Sequence, residues 1–69
     1  MNVILNTKVI GNRLKDLRGA KTQLEIADAI GVTKMAISQY ESGDRIPRDE
    51  IKIKLAKYFD KSVEEIFYI

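Results

Sequence analysis

The chain has neither cysteine nor histidine. Without cysteine it cannot form a disulfide, and without either residue type the usual ligand sets of structural zinc sites are excluded. Histidine and cysteine are also the side chains that most readily supply a catalytic group titrating near neutral pH. Only four glycines are present, and they form no glycine-rich phosphate loop. We therefore expect a protein that is not an enzyme and that uses no cofactor and no metal.

Long apolar runs are also missing. No run approaches the ~18 residues that a membrane-spanning helix needs, and residues 1–8 lack the basic and long apolar segments of a signal peptide. We therefore expect a cytoplasmic protein. Its 69 residues fit one domain, and we expect no second domain that could sense a small-molecule effector. A chain this short buries only about 60% of its unfolded surface, so packing of helices, dimerisation or both must stabilise it.

Positive charge is scarce in the middle of the chain. The formal net charge is +2, from 12 basic and 10 acidic side chains. Residues 1–21 carry five basic side chains and one acidic one, whereas residues 22–43 carry one basic and three acidic ones. Neutralisation of phosphates by lysine and arginine provides most of the non-specific affinity for nucleic acid. We expect that affinity to be modest here.

The stretch from Thr22 to Pro47 has the pattern of two short helices joined by a tight turn. Thr22 and Glu25 have the spacing of a capping box, Gly31 tolerates the positive φ at which a helix can stop, and Thr33 can cap the next helix. Each helix has one apolar face at helical spacing. The residues predicted to be buried are Ile26, Ala27, Ile30, Ala36, Ile37 and Tyr40. This order is typical of a helix-turn-helix, whose second helix enters the major groove of DNA.

Three further helices are predicted outside this stretch. The first covers about residues 8–18, where Ile10, Leu14 and Leu17 have helical spacing. A fourth runs over about residues 48–59, and a short fifth begins after Ser62, with Glu65 in the position of a second capping box. The apolar residues expected on the last two helices are Ile51, Leu55, Ala56, Phe59, Val63 and Ile66. We therefore expect an all-α fold of five helices over a single domain, residues 1–69.

Both ends of the chain are apolar, at residues 3–5 and 67–69. Each end could simply cover the core. Alternatively, the ends could pair as short β-strands or contact a second subunit, because these residue types favour strands over helices. We therefore predict residues 1–7 as a tail or short strand and residues 67–69 as an apolar tail.

The string TQ…IA…IGV…IS.YESG…P resembles the Cro and lambda-repressor class, also called the xenobiotic response element family. Flanking segments extend the resemblance over about residues 10–67: IGNRL at 10–14, LR at 17–18, KLA at 54–56 and SVEEIF at 62–67. The resemblance implies a compact lambda-repressor-like DNA-binding domain with the helix-turn-helix at helices 2 and 3. One departure is the connection at residues 19–21, which is about two residues shorter than the common pattern and predicts a tighter turn.

We predict that four side chains on one side of the second motif helix contact DNA bases: Lys34, Met35, Ser38 and Gln39. A glutamine amide can form two hydrogen bonds with N6 and N7 of adenine in the major groove, which makes Gln39 the first choice. The resemblance places the first turn of this helix against the bases, where Lys34 could donate to guanine and Met35 could pack on a thymine methyl group. Met35 could instead fill the core, and Gln39 could be an ordinary solvated side chain.

Other side chains are candidates for contacts with the DNA backbone. Gln23 lies at a helix N-terminus, where free N–H groups favour anions, and the resemblance places Gln23 and Thr33 on phosphates. Such contacts set the register without reading sequence. Arg45 could contact a phosphate or be a free surface arginine, and Lys21 and Arg48 are weaker candidates.

The resemblance also implies a largely buried ion pair between Arg18 and Glu41, which would tie the first helix to the end of the third. Removal of one partner of such a pair typically costs about 3–5 kcal/mol. We therefore expect these two residues to matter for folding more than for DNA recognition. The short connection after Arg18 leaves the geometry of the pair open.

These observations predict a sequence-specific regulator of transcription that binds double-stranded DNA, most simply a repressor of phage or mobile-element type. We expect a homodimer on a pseudo-palindromic operator with half-sites about one helical turn apart. The alternative is a small protein-interaction module, antitoxin-like or partner-sequestering, in which DNA binding is secondary. The acidic middle segment and the apolar ends favour this alternative.

Overall fold

The computed structural model describes residues 6–68, which form five α-helices and no strand. Helix α1 spans Thr7–Arg18, α2 spans Gln23–Ile30, α3 spans Lys34–Ser42, α4 spans Asp49–Phe59 and α5 spans Val63–Phe67. The predicted all-α, five-helix architecture is confirmed. The possible terminal strands were predicted within residues 1–7 and 67–69. Of these, residues 1–5 and 69 lie outside the described residues, while Thr7 begins α1 and Phe67 ends α5. Across residues 6–68, no helix combines the length and the apolar character needed to cross a membrane.

Polar side chains cap the helix starts that the sequence indicated. The hydroxyl of Thr22 accepts a hydrogen bond from the Glu25 N–H, and that of Thr33 accepts one from the N–H of Ala36, each at 3.0 Å. Only the second of the two predicted capping boxes forms completely. At α5 the Glu65 carboxylate also accepts from the Ser62 N–H, whereas at α2 the threonine hydroxyl acts without a return bond from Glu25.

The turn between α2 and α3 has the predicted form. Gly31 adopts the left-handed conformation, with φ of 78°, and its N–H donates to the Ala27 carbonyl. Only two residues, Val32 and Thr33, then separate this glycine from the first residue of α3. This short turn therefore determines the direction of α3 relative to α2.

All five helices contribute to one core. Helix α3 packs on α1 and α2, while α4 packs on α2 and α5, and α5 also contacts α1. Most predicted core residues are buried, but Leu17, Phe59 and Val63 are only partly so and pack against its margin. Phe67, predicted as part of an apolar tail, is instead the last residue of α5 and is fully buried. Its ring completes the core because the short α5 turns it inward.

A buried cation on α4 was not indicated by the sequence pattern. The side chain of Lys52 is 7% exposed, and its Nζ lies 3.7 Å from the Asp49 carboxylate. It donates to the Tyr68 hydroxyl at 3.4 Å and lies 5.8 Å and 5.3 Å from the ring centroids of Phe67 and Tyr68. The carboxylate and the two aromatic faces stabilise this charge. Lys52 therefore fastens the end of α5 to α4.

Candidate nucleic-acid interface

Helix α3 has two different faces. Ala36, Ile37 and Tyr40 are buried in the core, whereas Lys34 and Ser38 are exposed to solvent. Met35 is 69% exposed, so it does not fill the core. The N-terminal half of α3 therefore offers a cation, a thioether and a hydroxyl on one accessible surface.

The N-terminus of α2 adjoins this surface. A shallow depression between the two helices is lined by Gln23, Lys34, Met35 and Ser38. The structure therefore brings one of the three phosphate-contact candidates beside three of the four base-contact candidates. We call the four lining residues, together with Thr33 and Gln39, the α3 surface.

Gln39 and Arg45 meet at the other end of the α3 surface. Gln39 is half-buried, and Arg45 is exposed in the loop after α3. A guanidinium N–H of Arg45 donates to Oε1 of Gln39 at 3.5 Å, and the guanidinium carbon lies 5.8 Å from the ring centroid of Tyr40. The base-contact candidate and the phosphate-contact candidate are thus direct neighbours, which their spacing of six residues around a loop did not indicate.

Behind the α3 surface, three helices converge on one carboxylate. Arg18 of α1 forms a bidentate salt bridge with Glu41 of α3, in which Nε donates to Oε2 at 2.6 Å and Nη2 donates to Oε1 at 3.0 Å. Gln23 of α2 donates from Nε2 to the same Oε1 at 3.1 Å. The Glu41 side chain is only 4% exposed, and the hydrogen bond from Arg18 to this carboxylate raises the pKa of Arg18 above its ordinary value.

This cluster also spans the short connection between α1 and α2. A third nitrogen of the Arg18 guanidinium, Nη1, donates to the backbone carbonyl of Lys21 at 2.8 Å. The shortened loop therefore forms together with the ion pair instead of preventing it. The sequence did not indicate the contact of Gln23 with Glu41, because the two residues lie 18 positions apart and no local pattern relates them.

Gln23 and Thr33 keep a donor that can face an anion. Gln23 uses one N–H of its amide for Glu41, and a primary amide carries two. The Thr33 hydroxyl accepts the cap bond from Ala36, which leaves its own hydrogen to donate. Their internal bonds hold both side chains in place without consuming the group that a phosphate would need.

The two weaker phosphate candidates are engaged elsewhere. Nζ of Lys21 donates to the Tyr58 hydroxyl at 2.9 Å and lies 4.8 Å from the ring centroid. This hydrogen bond raises the pKa of Lys21. Arg48 lies at the start of α4 and pairs with Glu50 at 3.0 Å on the exposed surface. Neither side chain lines the depression between α2 and α3.

Comparisons with known proteins agree with this geometry. A family model described as helix-turn-helix matches residues 14–66. The cryptic phage CTXphi transcriptional repressor RstR of Vibrio cholerae is 37% identical over 59 residues, which are 83% of this chain and 53% of that protein. The chain thus spans about half the length of that relative.

Two solved structures share the fold closely. One is the P22 c2 repressor protein in complex with a synthetic operator, with a TM-score of 0.82, 27% identity and coverage of 87% of this chain and 94% of that one. The other is the restriction-modification controller protein C.AhdI from Aeromonas hydrophila, with a TM-score of 0.80, 30% identity and coverage of 88% and 96%. The helix order, the α2–turn–α3 geometry and these matches together show that the chain belongs to the Cro/C1-type helix-turn-helix family of DNA-binding transcriptional regulators.

Proposed function

We propose that this protein represses transcription by binding a pseudo-palindromic DNA operator as a homodimer, with α3 of each subunit in the major groove. The observation that carries the proposal is the accessible start of α3, where Lys34, Met35 and Ser38 share one surface with Gln23 at the N-terminus of α2. A repressor bound to a synthetic operator has the same fold. Occupation of a promoter by the dimer would block polymerase without any further domain.

Within this proposal the side chains divide into two groups. Lys34, Met35, Ser38 and Gln39 contact base edges, where their donors and the thioether can discriminate between base pairs. Gln23, Thr33 and Arg45 contact phosphates and set the register of the helix. The proposed function includes no catalytic step, cofactor or small-molecule effector. We propose that the protein acts in the cytoplasm.

The proposed dimer has a candidate contact surface away from α3. Ile53 on α4 is 48% exposed. It lines a groove with the half-buried Val63 and Tyr68 and with three charged side chains, Asp49, Lys52 and Glu64. A second copy covering this groove would remove apolar surface from water. Sedimentation equilibrium of the wild type and of Ile53→Asp checks this contact. We expect a dimeric wild type and a monomeric variant. A variant with the mass of a dimer would place the dimer contact elsewhere.

Selection of bound duplexes from a random DNA library at about physiological salt tests the proposed function. We expect one enriched motif with two-fold symmetry and about ten base pairs between half-site centres. A lone half-site would contradict the homodimer. No enrichment would contradict sequence-specific binding and favour the alternative of a protein-interaction module, for which a pull-down is the next experiment.

A further inference from the structure

The loop after α3 returns Arg45 to the helix that it follows. The Asp44 N–H donates to the carbonyl of Gln39 at 3.0 Å, and Gly43 ends the helix in the left-handed conformation. This reversal places the guanidinium of Arg45 beside the amide of Gln39, with Nη1 3.5 Å from Oε1.

Two neighbours determine where the Arg45 guanidinium lies. Tyr40 is 3% exposed, so its ring is a fixed part of the core, and the guanidinium lies against that ring at 5.8 Å. The adjacent carboxylate of Asp44 is engaged by the Ser42 hydroxyl at 2.9 Å. The positive charge therefore lies against the Tyr40 ring and beside the carbonyl oxygen of Gln39.

We propose that Arg45 is a positioning residue that orients the Gln39 amide, so that Gln39 reads guanine in preference to adenine. The inference rests on the proposed function and deepens it, since it names the base that this position selects. It also differs from the expectation for an isolated glutamine, for which adenine is the usual partner.

The preference follows from which groups of Gln39 remain available. With Oε1 turned toward Arg45, the two N–H groups of the amide are left to face the base edge. Guanine presents two acceptors in the major groove, N7 and O6, whereas adenine presents one acceptor and the N6 amino donor. A donor cannot pair with the Gln39 amino group, and the positive charge of Arg45 is unfavourable beside it. Arginine cannot relieve this conflict by losing its proton.

The experiment measures base preference, not affinity alone. After selection identifies the operator, Gln39→Ala locates the base pair that Gln39 contacts, because preference is lost there. Dissociation constants are then measured for duplexes with guanine or adenine at that position. The proteins are the wild type, Arg45→Met, Gln39→Ala and the double variant that combines these two substitutions. Arg48→Met is a matched control from the same loop. Thermal melts accompany each protein.

We expect the wild type to favour guanine by about tenfold, which is within the range of a good base contact. Arg45→Met should reduce this ratio to about twofold or less, and Arg48→Met should leave it unchanged. In the Gln39→Ala background, Arg45→Met should not alter the ratio at all. Arg45→Met and Arg48→Met should melt as the wild type does, because both arginines are exposed.

Several outcomes would overturn the inference. Adenine at the position that Gln39 contacts would do so. An Arg45→Met variant that binds both duplexes more weakly by one common factor would do so too, since that result describes a phosphate contact only. If Gln39→Ala changed no position of an enriched motif, the base contact would fail while DNA binding stood. If no duplex were enriched, the proposed function itself would fail.

Discussion

At the scale of single residues, Glu41 joins three helices through one carboxylate. Arg18, Gln23 and the glutamate come from α1, α2 and α3, and the carboxylate is almost completely buried. A buried carboxylate without partners would carry a large desolvation cost. The cluster therefore makes the relative placement of α1 and α3 depend on the same side chain that braces Gln23 beside the α3 surface.

Arg18→Ala should destabilise the fold more than it alters DNA recognition. It leaves Glu41 buried with only the Gln23 amide, and we expect a loss of about 3 kcal/mol in the free energy of unfolding, at the lower end of the range for broken buried pairs because Arg18 is partly exposed. Urea denaturation measures this loss. Lys15→Ala, an exposed position on the same helix, serves as the control.

The DNA selection should be repeated with Arg18→Ala at a temperature where the variant remains folded. We expect the same motif as for the wild type, because the guanidinium lies behind the α3 surface. Wild-type melting combined with lost DNA binding would show that Arg18 acts at the interface.

At the scale of helices, the contact between α1 and α3 depends on a missing side chain. A Cβ added to Gly11 would overlap the backbone carbonyl of Glu41, and it would lie 2.9 Å from the carbonyl oxygen of Tyr40. These are backbone atoms of the neighbouring helix, so rotation of a side chain cannot relieve the overlap. Gly11 therefore sets how closely α1 approaches α3.

Gly11→Ala should be destabilising although alanine is the better helix former. Helix propensity alone favours the substitution by about 0.5–1 kcal/mol, but separation of the two helices should cost about 3 kcal/mol, as overpacking does in other cores. Urea denaturation should therefore show a net loss of about 2 kcal/mol. The neighbouring Asn12→Ala, at an exposed position, should not destabilise. A Gly11→Ala protein as stable as the wild type would mean that α1 and α3 can separate freely.

The five-residue helix α5 depends on its cap. Since so short a helix has little intrinsic stability, the reciprocal bonds between Ser62 and Glu65 hold its first turn in place. The hydrogen bond from the Ser62 N–H to the Glu65 carboxylate lowers the pKa of Glu65 below its ordinary value. The cap in turn orients Phe67 toward the core.

Acid should therefore weaken the fold through Glu65. Because its pKa is lower in the folded chain than in the unfolded one, its contribution is complete above the unfolded pKa and is lost as the pH falls through the folded pKa. Melting temperatures measured from pH 7 down to about 3 should decline in the acid range, where glutamate takes up its proton. Glu65→Gln should reduce the decline and Glu64→Gln should not. Equal acid profiles for all three proteins would exclude a contribution from this cap.

At the scale of the whole molecule, the protein carries little positive charge for a DNA-binding protein. The net charge is +2, and two of the three proposed phosphate contacts, Gln23 and Thr33, are neutral donors. Arg45 is the one cation among these three. Specific hydrogen bonds should therefore contribute more to binding, and counterion release less, than in strongly basic DNA-binding proteins.

Arg45→Met should flatten the salt dependence of operator binding. Each neutralised phosphate contributes about 0.9 to the slope of log affinity against log salt concentration, so the variant should lose about that much per subunit. Lys54→Met removes a charge beside Ala29 and Ile30, away from the α3 surface, and should leave the slope unchanged. Equal slopes for the wild type and Arg45→Met would show that this guanidinium contacts no phosphate.

The sequence alone determined the features that depend on neighbours a few positions away. Helix capping and helical periodicity act over three or four residues, so the five helices, the turn at Gly31 and the exposed face of α3 could all be predicted. The resemblance added the pairing of Arg18 with Glu41. These features suffice to identify a helix-turn-helix and to say which side of α3 faces outward.

The tertiary structure decided which distant side chains meet. The bond from Gln23 to Glu41, the burial of Lys52 beneath the end of α5 and the close approach at Gly11 all join separate helices. The contact of Arg45 with Gln39 depends on the path of a loop. No short-range pattern specifies such contacts, because they follow from how the helices pack. That packing also decides which donors of the α3 surface remain for DNA.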